Sequence, residues 1–446
     1  MRFIPASMKL VNYILCSALV IFSLQANAQR FLTDMMDTST TIGKGIYPLY
    51  GKHDRLKFGG YMQPQFQWTE SKGAKNYSGG DFSPNANNRF MLRRGRIRVD
   101  YGHYTDEGKP LALFAFQFDG TERGVAIRDF WGRFYENKLE LFSLSAGMFA
   151  RPMGFEANLS SSDRETPERG RMSQILMKTE RDMGVMLTVD PRKSSNPFKK
   201  YVKLDIGVFN GQGLAGPMEY DNHKDVIGRL YLKKQTLNKA GWTLSGSISG
   251  YSGGIVSQSP LLYKAYGKGA NAVMLRDSAE SNRNYVAPRK YIGADVQFKI
   301  PNRKGYTEFR AEYIRGRQTA TAATSETPGS YPVSGTLPQP LYIRNFDGAY
   351  FYYLQHLGVN NLQFIAKYDW YDPNKSVKGK EVDATKGFTA ADVRYNTLGV
   401  GFLYYINVHV KAFFYYDHIT NETTNIAGYD KDLRDDLFTF RLQYRF

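Results

Sequence analysis

The amino-acid sequence predicts an all-β fold: a closed antiparallel transmembrane β-barrel of about 16 strands, with long external loops and short periplasmic turns. Three observations predict it. The last ten residues alternate between apolar and polar side chains. The first 28 residues have the features of an export signal. Between them, alternating segments recur, and the links that join these segments are short at one end and long at the other.

The C-terminal segment 437–446 (LFTFRLQYRF) shows the alternation most clearly. Successive side chains of a strand point to opposite faces, so one face is apolar and aromatic while the other is almost wholly polar. A strand between lipid and water needs this pattern. The chain ends on Phe446, which resembles the C-terminal signal read by the outer-membrane insertion machinery, and we expect that machinery as a partner. The apolar face consists of Phe438, Phe440, Leu442, Tyr444 and Phe446.

Residues 1–28 are predicted to be a secretory signal peptide. Arg2 and Lys9 precede the apolar run 10–24, and the segment ends in an Ala-Asn-Ala site at 26–28. Cys16 is the only cysteine and leaves with the signal, so we expect no disulfide and no cysteine chemistry in the exported protein. Residues 29–55 are predicted to form a short periplasmic lead, and residues 56–446 the barrel.

Composition agrees with a barrel whose apolar residues occupy alternate positions. Mean hydropathy is −0.46, although 15% of the residues are aromatic. The formal charge is +17, and loss of Arg2 and Lys9 with the signal leaves +15. Such an excess often indicates nucleic-acid binding. In an exported chain an anion path is the better interpretation, so we expect no nucleic-acid partner. The strand pattern and the export signal together predict a location in the bacterial outer membrane, in contact with the lipid bilayer.

About 16 segments alternate with a length that suits a tilted membrane strand. Links at the predicted periplasmic end are all short, for example 136–138 and 359–360. Links at the other end are long except one, for example 252–288 and 316–345. This asymmetry is typical of outer-membrane barrels. The segments are 56–68, 88–101, 110–119, 125–135, 139–149, 183–190, 200–209, 225–233, 241–251, 289–299, 305–315, 346–358, 361–371, 393–406, 409–418 and 436–446.

Two of these strands carry a predicted irregularity. Pro64 lacks an N–H for the ladder, so we expect a bulge or a local break in the first strand. In the second strand the apolar parity changes between Leu92 and Ile97, and a β-bulge at Gly95 would restore it.

That second strand is also the most charged one. The bulge would let four arginines reach the interior, because an arginine on the lipid face costs about 2–4 kcal/mol at the bilayer midplane. Guanidinium groups stay charged and match phosphate and carboxylate, which indicates an anion path. The alternative is ordinary wall charge paired with the acids Asp100, Asp119 and Asp129. The four candidates are Arg93, Arg94, Arg96 and Arg98.

The segment 150–182 lacks the period-2 pattern and is long for a loop without a function. Folded into the barrel, it would narrow the pore and present Arg151, Lys178 and Arg181. The alternative is an ordinary external loop.

The runs MLRRGRIRVDYG, FAFQFDG, VAIRDFWGRFYENK, GMFARPMGFE and ERDMGVML resemble the phosphate-selective porin family, the O and P porins. The resemblance spans nearly the whole exported chain and is strongest in residues 88–190. It implies a sixteen-stranded homotrimer with an arginine-lined lumen and a third loop folded inward. Arg93 and Arg94 match the family's paired strand arginines, Asp129 its aspartate, and Arg151 the basic residue before its Pro-Phe-Gly. Arg133 lies in the third run and joins the pore-lining candidates.

The predicted function is passive conduction of small anions, with phosphate or polyphosphate as candidate solutes, and with no enzymatic activity. Two alternatives stay open, namely a surface-adhesion or structural barrel and a hydrolase built on the barrel wall. For the hydrolase, we find no set of Ser, His and a third polar residue at one rim. The six histidines show no close metal-ligand spacing, so no metal or cofactor is predicted.

Overall fold

The structure is a computed structural model that describes residues 54–192, 200–215, 219–358 and 361–446. The chain divides into two compact units, residues 1–56 and 57–446. Of the first unit only 54–56 is described, as the start of the first strand. The predicted signal peptide and periplasmic lead therefore lie outside the described residues except at the end of the lead. No described helix is long and apolar enough to cross a membrane.

The described residues form a closed antiparallel barrel of sixteen strands, as predicted. Strands β1 to β9 pair in succession, β9 pairs with β12, and the order continues through β13, β16, β17, β18, β19 and β20 back to β1. The strands are β1 (Asp54–Thr69), β2 (Asn88–Tyr104), β3 (Pro110–Thr121), β4 (Gly124–Tyr135), β5 (Phe142–Ala150), β6 (Arg181–Val189), β7 (Val202–Phe209), β8 (Asp225–Thr236), β9 (Thr243–Val256), β10 (Leu262–Tyr266), β11 (Val273–Asp277), β12 (Val286–Asn302), β13 (Gly305–Ala320), β14 (Val333–Ser334), β15 (Leu337–Pro338), β16 (Leu341–His356), β17 (Leu362–Asp372), β18 (Tyr395–Tyr405), β19 (Val410–Asn421) and β20 (Leu437–Arg445).

The barrel closes where the last strand meets the first. Tyr61 lies opposite Arg445, and Thr69 opposite Leu437. Phe446 extends this seam: its N–H donates to the Gly60 carbonyl at 3.1 Å, and its carbonyl accepts from Gly60 N at 3.2 Å. Closure leaves the sheet without an edge, so every barrel strand has two neighbours.

Side chains alternate between an apolar outer face and a polar interior. In β20 the predicted outer residues Phe438, Phe440 and Leu442 are partly exposed, whereas Thr439 and Arg441 are buried inside. Phe90 of β2, which is 85% exposed, shows the same outward placement. An apolar belt around a polar lumen is the arrangement that a lipid bilayer stabilises.

The two ends of the barrel differ as predicted. At the short-turn end, β12 and β13 are joined by 303–304 and β18 and β19 by 406–409. At the long-loop end, the segment after β9 folds into the hairpin β10–β11, and β10 pairs in parallel with the start of β16. This hairpin, which the sequence pattern does not predict, extends the barrel wall on one side.

Of the two predicted irregularities, the local break at Pro64 is found, whereas the ladder of β2 with β3 shows no bulge at Gly95. At Pro64 the ladder between β1 and β20 omits residues 63 and 64 but keeps its register, so the strand has a local break and no bulge on that side. Pairing of β2 with β3 begins at Gly95, opposite Gly120, so this ladder contains no bulge there. A register shift occurs instead in β4, where Arg128 is the extra residue between Asp129, opposite Gln117, and Ile127, opposite Phe118.

Candidate functional site

The loop between β5 and β6, residues 151–180, runs through the barrel interior; we call it the inner loop. Ser161 in this loop bonds Tyr61 of β1, with 2.6 Å between the hydroxyl oxygens. Gly154, at its start, accepts a hydrogen bond from Arg229 of β8, on the opposite wall. The inner loop therefore crosses the lumen from one wall to the other. It contains one short helix, Arg171–Leu176.

Apolar packing fixes part of the inner loop. Met153, Met172 and Leu176 are fully buried and belong to the same core cluster as Tyr291 and Phe346 of the barrel wall. A lumen that was only a water-filled channel would not contain such a core. The loop is thus packed against the barrel wall and narrows the lumen.

A buried carboxylate, Glu168, ties the loop to three strand arginines. Arg94 Nη2 lies 2.6 Å from Glu168 Oε2, and Arg93 Nε lies 3.0 Å from Oε1. Arg441 of β20 adds a contact of 2.8 Å to Oε1. Charge-assisted bonds of this kind are among the strong hydrogen bonds of proteins. Arg93 and Arg94 do turn inward as predicted, but they hold the loop instead of lining an open path.

Further carboxylates fix the loop at other points. Arg310 of β13 makes a bidentate pair with Glu165, at 2.7 and 2.8 Å. Glu312 on the same strand accepts bonds from the backbone N–H groups of Phe155 and Glu156, each at 3.1 Å. Hydrogen bonds and ion pairs thus fix the inner loop to the barrel wall at several points along its length.

Beside the inner loop lies a cavity of about 220 Å³, which we call the lumenal cavity. Four cations and two carboxylates contribute to its lining, from β2, β4, β6 and β7. Arg98 and Arg181 both contact Asp129, at 3.4 and 2.9 Å. The ionisable residues of the lining are Arg98, Arg133, Arg181, Lys203, Asp129 and Asp205.

Arg133 differs from its neighbours in this cavity. Its Nε donates to Ser145 Oγ at 2.7 Å, and its guanidinium carbon lies 5.3 Å from the Trp131 ring centroid. Within the described part of the chain it has no ion pair. Cations outnumber carboxylates in the lining, but Arg98 also pairs with Asp100 at 2.7 Å and Arg181 lies 3.8 Å from Glu180, so Arg133 is the cation of the lining whose charge is not paired among the described residues.

The nine predicted residues therefore do not form one column. Arg98, Asp129, Arg133 and Arg181 meet at the lumenal cavity, whereas Arg93 and Arg94 anchor the inner loop. Arg96 pairs with Asp119 at 2.9 Å, and Arg151 reaches Asp182 at 3.8 Å and the Gly211 carbonyl at 3.4 Å. Lys178 pairs with Glu326 at 2.6 Å at the long-loop end. Carboxylates lie between these side chains, including Asp100, Asp119 and Asp129, so the guanidinium groups do not form one continuous column.

Sequence reasoning misses several residues of the site. Lys203 and Asp205 lie two positions apart on the inward face of β7 and contact each other at 2.8 Å, so their spacing could have revealed them. Glu168 and Arg441 lie 273 residues apart in the sequence, and no local pattern connects them.

A second, larger cavity of about 1,040 Å³ opens at the long-loop end; we call it the vestibule. Asp435, in the loop before β20, lines it and is buried. Burial raises the pKa of the Asp435 carboxyl to about 7, against the opposing effect of Arg171 and with support from Asp432 and Asp436. This carboxyl therefore changes its charge near neutral pH. No cluster of three or more metal-binding side chains occurs among the described residues.

A closed sixteen-stranded antiparallel barrel with an apolar belt, a polar lumen and an inward-folded loop has the fold of an outer-membrane porin, and the protein is an outer-membrane protein. The chain is similar to three solved porin-type structures. OprB of Pseudomonas putida matches with a TM-score of 0.55 and 9% identity over 89% of this chain and 94% of that one. The outer-membrane channel DcaP of Acinetobacter baumannii matches with a TM-score of 0.52 and 12% identity over 89% of this chain and 99% of that one. The anion-selective porin from Comamonas acidovorans matches with a TM-score of 0.51 and 8% identity over 88% of this chain and 100% of that one.

At these identities the similarity shows the fold alone. No protein-family profile matches the sequence, and no curated protein matches it.

Proposed function

We propose that this protein is a passive outer-membrane channel that prefers small anions. The observation that carries the proposal is Arg133 of the lumenal cavity, which has no ion pair among the described residues, whereas Arg98, Arg181 and Lys203 each pair with a carboxylate. Fixed charges that line a pore set its ion preference, so a positive lining favours anions. The similar porin from Comamonas acidovorans is anion-selective, which agrees with the proposal.

Arg133 is the residue on which we base the preference. Its neighbours are partly neutralised by Asp129 and Asp205, whereas the partners of Arg133 within the described ranges are a hydroxyl and an aromatic ring. Guanidinium binds phosphate and carboxylate through paired N–H groups. Phosphate or polyphosphate are therefore candidate solutes, as the resemblance to the phosphate-selective porins implies.

Reversal potentials in a KCl gradient across a planar bilayer test the proposal. The parent protein is expected to show anion preference. Arg133→Glu should lower the anion-to-cation permeability ratio about fivefold, the factor that corresponds to about 1 kcal/mol of electrostatic energy at the pore. Arg303→Glu makes the same substitution in an exposed turn and is the matched control. Cation preference of the parent would overturn the proposal. A complete lack of conductance would favour the adhesion or structural barrel.

The proposal includes a homotrimer, which the family resemblance implies, and insertion through the terminal Phe446. Chemical crosslinking in mild detergent, followed by mass measurement, tests the trimer. A monomer at all protein concentrations would exclude it without affecting the proposed conduction.

A further inference from the structure

The vestibule is chemically unlike the lumenal cavity, and ion conduction alone does not explain it. Its volume of about 1,040 Å³ is several times larger. Its walls combine the inner loop with the segments after β1, β13, β17 and β19, so it lies directly above the inner loop at the long-loop end. Its cationic lining residues are Lys72, Lys75, Arg123, Arg171, Lys178 and Arg434.

Arg171 is held in a way that leaves its donors available. Its guanidinium carbon lies 3.6 Å from the Tyr395 ring centroid and 4.9 Å from that of Tyr77. The two rings hold the guanidinium by cation–π contact, an interaction that does not require its N–H groups as hydrogen-bond donors. Among the described residues, no carboxylate lies within ion-pair distance of this side chain, and no side-chain hydrogen bond satisfies it.

Two of the other cations of the vestibule are paired. Lys178 contacts Glu326 at 2.6 Å, and Arg434 contacts Glu70 at 2.8 Å. Lys72, Lys75 and Arg123 are exposed. Arg171 differs from all of these because it is partly buried, is held between two rings and has no ion pair among the described residues.

The rest of the lining carries groups that suit a hydroxylated molecule. Gln174 follows Arg171 by one helical turn, and Asn76, Ser325 and Tyr429 add amide and hydroxyl groups. Inorganic phosphate would fill only a small part of this volume. A sugar-sized body could contact both the charged head site and these polar groups at once.

From this geometry we infer that the vestibule binds a hydroxylated organic anion: a phosphate or carboxylate head on a body the size of a sugar, with the head at Arg171. The inference rests on the proposed anion channel and assigns it a solute class. Tyr77 and Tyr395 act as positioning residues, because their rings contact the guanidinium and hold it at the wall of the vestibule. The bound solute would lie above the inner loop, next to the narrowed part of the lumen.

The test measures how glucose 6-phosphate reduces the KCl current through single channels of the full-length protein. The parent is expected to show saturable, concentration-dependent block. Glucose should block far less because it lacks the charged head, and inorganic phosphate far less because it lacks the body. Equal block by glucose would overturn the role of the charge. Equal block by inorganic phosphate would overturn the organic class.

Variants locate the site. Arg171→Gln should raise the half-blocking concentration of glucose 6-phosphate about tenfold, as expected for the loss of a charge-assisted bond. Tyr395→Leu keeps the charge but removes the stacking ring and should also weaken the block. Arg276→Gln is the matched control: Arg276 of β11 is exposed at the same end but does not line the vestibule. If Arg171→Gln is blocked like the parent, the site is not at Arg171.

Failure of this inference is distinguishable from failure of the proposed function. Anion preference without block by glucose 6-phosphate leaves the channel proposal intact and overturns the vestibule site. Cation preference overturns the proposed anion channel, whether or not glucose 6-phosphate blocks the current. Heat-dependent mobility on SDS gels verifies that each variant forms a barrel.

Discussion

Arg94 and Glu168 are 74 residues apart in the chain, yet their side chains meet at 2.6 Å inside the barrel. Glu168 is shared by three guanidinium groups, and its side chain is only 3% exposed. One carboxylate of the inner loop is thus bonded to β2 and β20. This charge cluster is one of the contacts that hold the loop, and Glu168 and Arg441 within it are almost closed to solvent.

The first prediction concerns that cluster. Glu168→Ala leaves the buried Arg94 and Arg441 and the partly exposed Arg93 without their carboxylate, and the loss of one partner of a buried ion pair typically costs about 3–5 kcal/mol. Because the barrel ladder is independent of this residue, we expect the inner loop to detach while the barrel stays folded. Single-channel recordings should show larger and noisier conductance. Asp163→Asn, which removes an exposed pair with Arg445, is the control and should conduct like the parent. Unchanged conductance of Glu168→Ala would mean that the loop is held without this cluster.

The second prediction concerns the paired arginines. The sequence alone predicts that Arg93→Glu with Arg94→Glu weakens or inverts selectivity. In the structure both replacements would face Glu168, so repulsion should release the loop in addition. We therefore expect altered conductance together with altered reversal potential, whereas Arg133→Glu should change the reversal potential with little added noise. Selectivity loss at unchanged conductance in the double variant would show that the arginines act only as pore charge.

The third prediction concerns barrel closure at Gly60. A Cβ at this position would lie 2.4 Å from the Arg96 carbonyl oxygen and 2.6 Å from the Phe446 ring. The backbone contact cannot move without disturbing β2, so Gly60→Ala should destabilise the barrel by about 1–3 kcal/mol. Urea unfolding in detergent, followed by tryptophan fluorescence, measures it. Gly250→Ala is the control, because a Cβ there meets nothing within 4 Å. Equal midpoints for the two variants would contradict the prediction.

The fourth prediction concerns the terminal residue. Deletion of Phe446 removes two backbone hydrogen bonds with Gly60 and a ring that is 64% exposed, a modest loss for a folded barrel. We expect the larger effect on insertion, with lower outer-membrane levels and proteolysis of the periplasmic form. The deleted protein refolded in detergent should remain rich in β-structure and heat-modifiable. Normal surface levels would argue against the terminal signal.

The fifth prediction is a pH dependence at the vestibule. The pKa of Asp435 is raised to about 7, so its carboxyl is neutral below that pH and negative above it. Rising pH therefore adds a negative charge near Arg171. Block by glucose 6-phosphate should weaken as the pH is raised from about 6 to about 8, beyond the effect of solute ionisation. Asp435→Asn should remove this additional pH dependence of the block. If the pH dependence persists in the variant, another group causes it.

All sixteen barrel strands could be predicted because the membrane imposes one rule on every strand. The outer face must be apolar, so strands such as β17 and β20 can be predicted from the local alternation of apolar and polar residues alone. The hairpin β10–β11 lies outside this rule. The hairpin lies in a long loop, where β10 pairs with the start of β16. Its strands therefore need not carry the apolar outer face on which the prediction relies.

The candidate site was predictable only in part, for a related reason. The inward direction of Arg98 and Arg133 follows from the cost of placing arginine in lipid. Their partners do not, because lumenal pairs such as Arg310 with Glu165 join residues 145 positions apart. Sequence therefore indicates which charges enter the lumen, whereas only the packed loop decides which of them remain uncompensated.

Arg441 has a consequence for the order of biogenesis. It lies on β20, the strand that pairs with β1 to close the barrel, and it donates to both Glu168 and the Pro167 carbonyl of the inner loop. This anchor reaches its place only when β20 has paired with β1 and β19. The inner loop therefore cannot be fully secured in a barrel that is still open, and completion of the wall and fixation of the loop become one event.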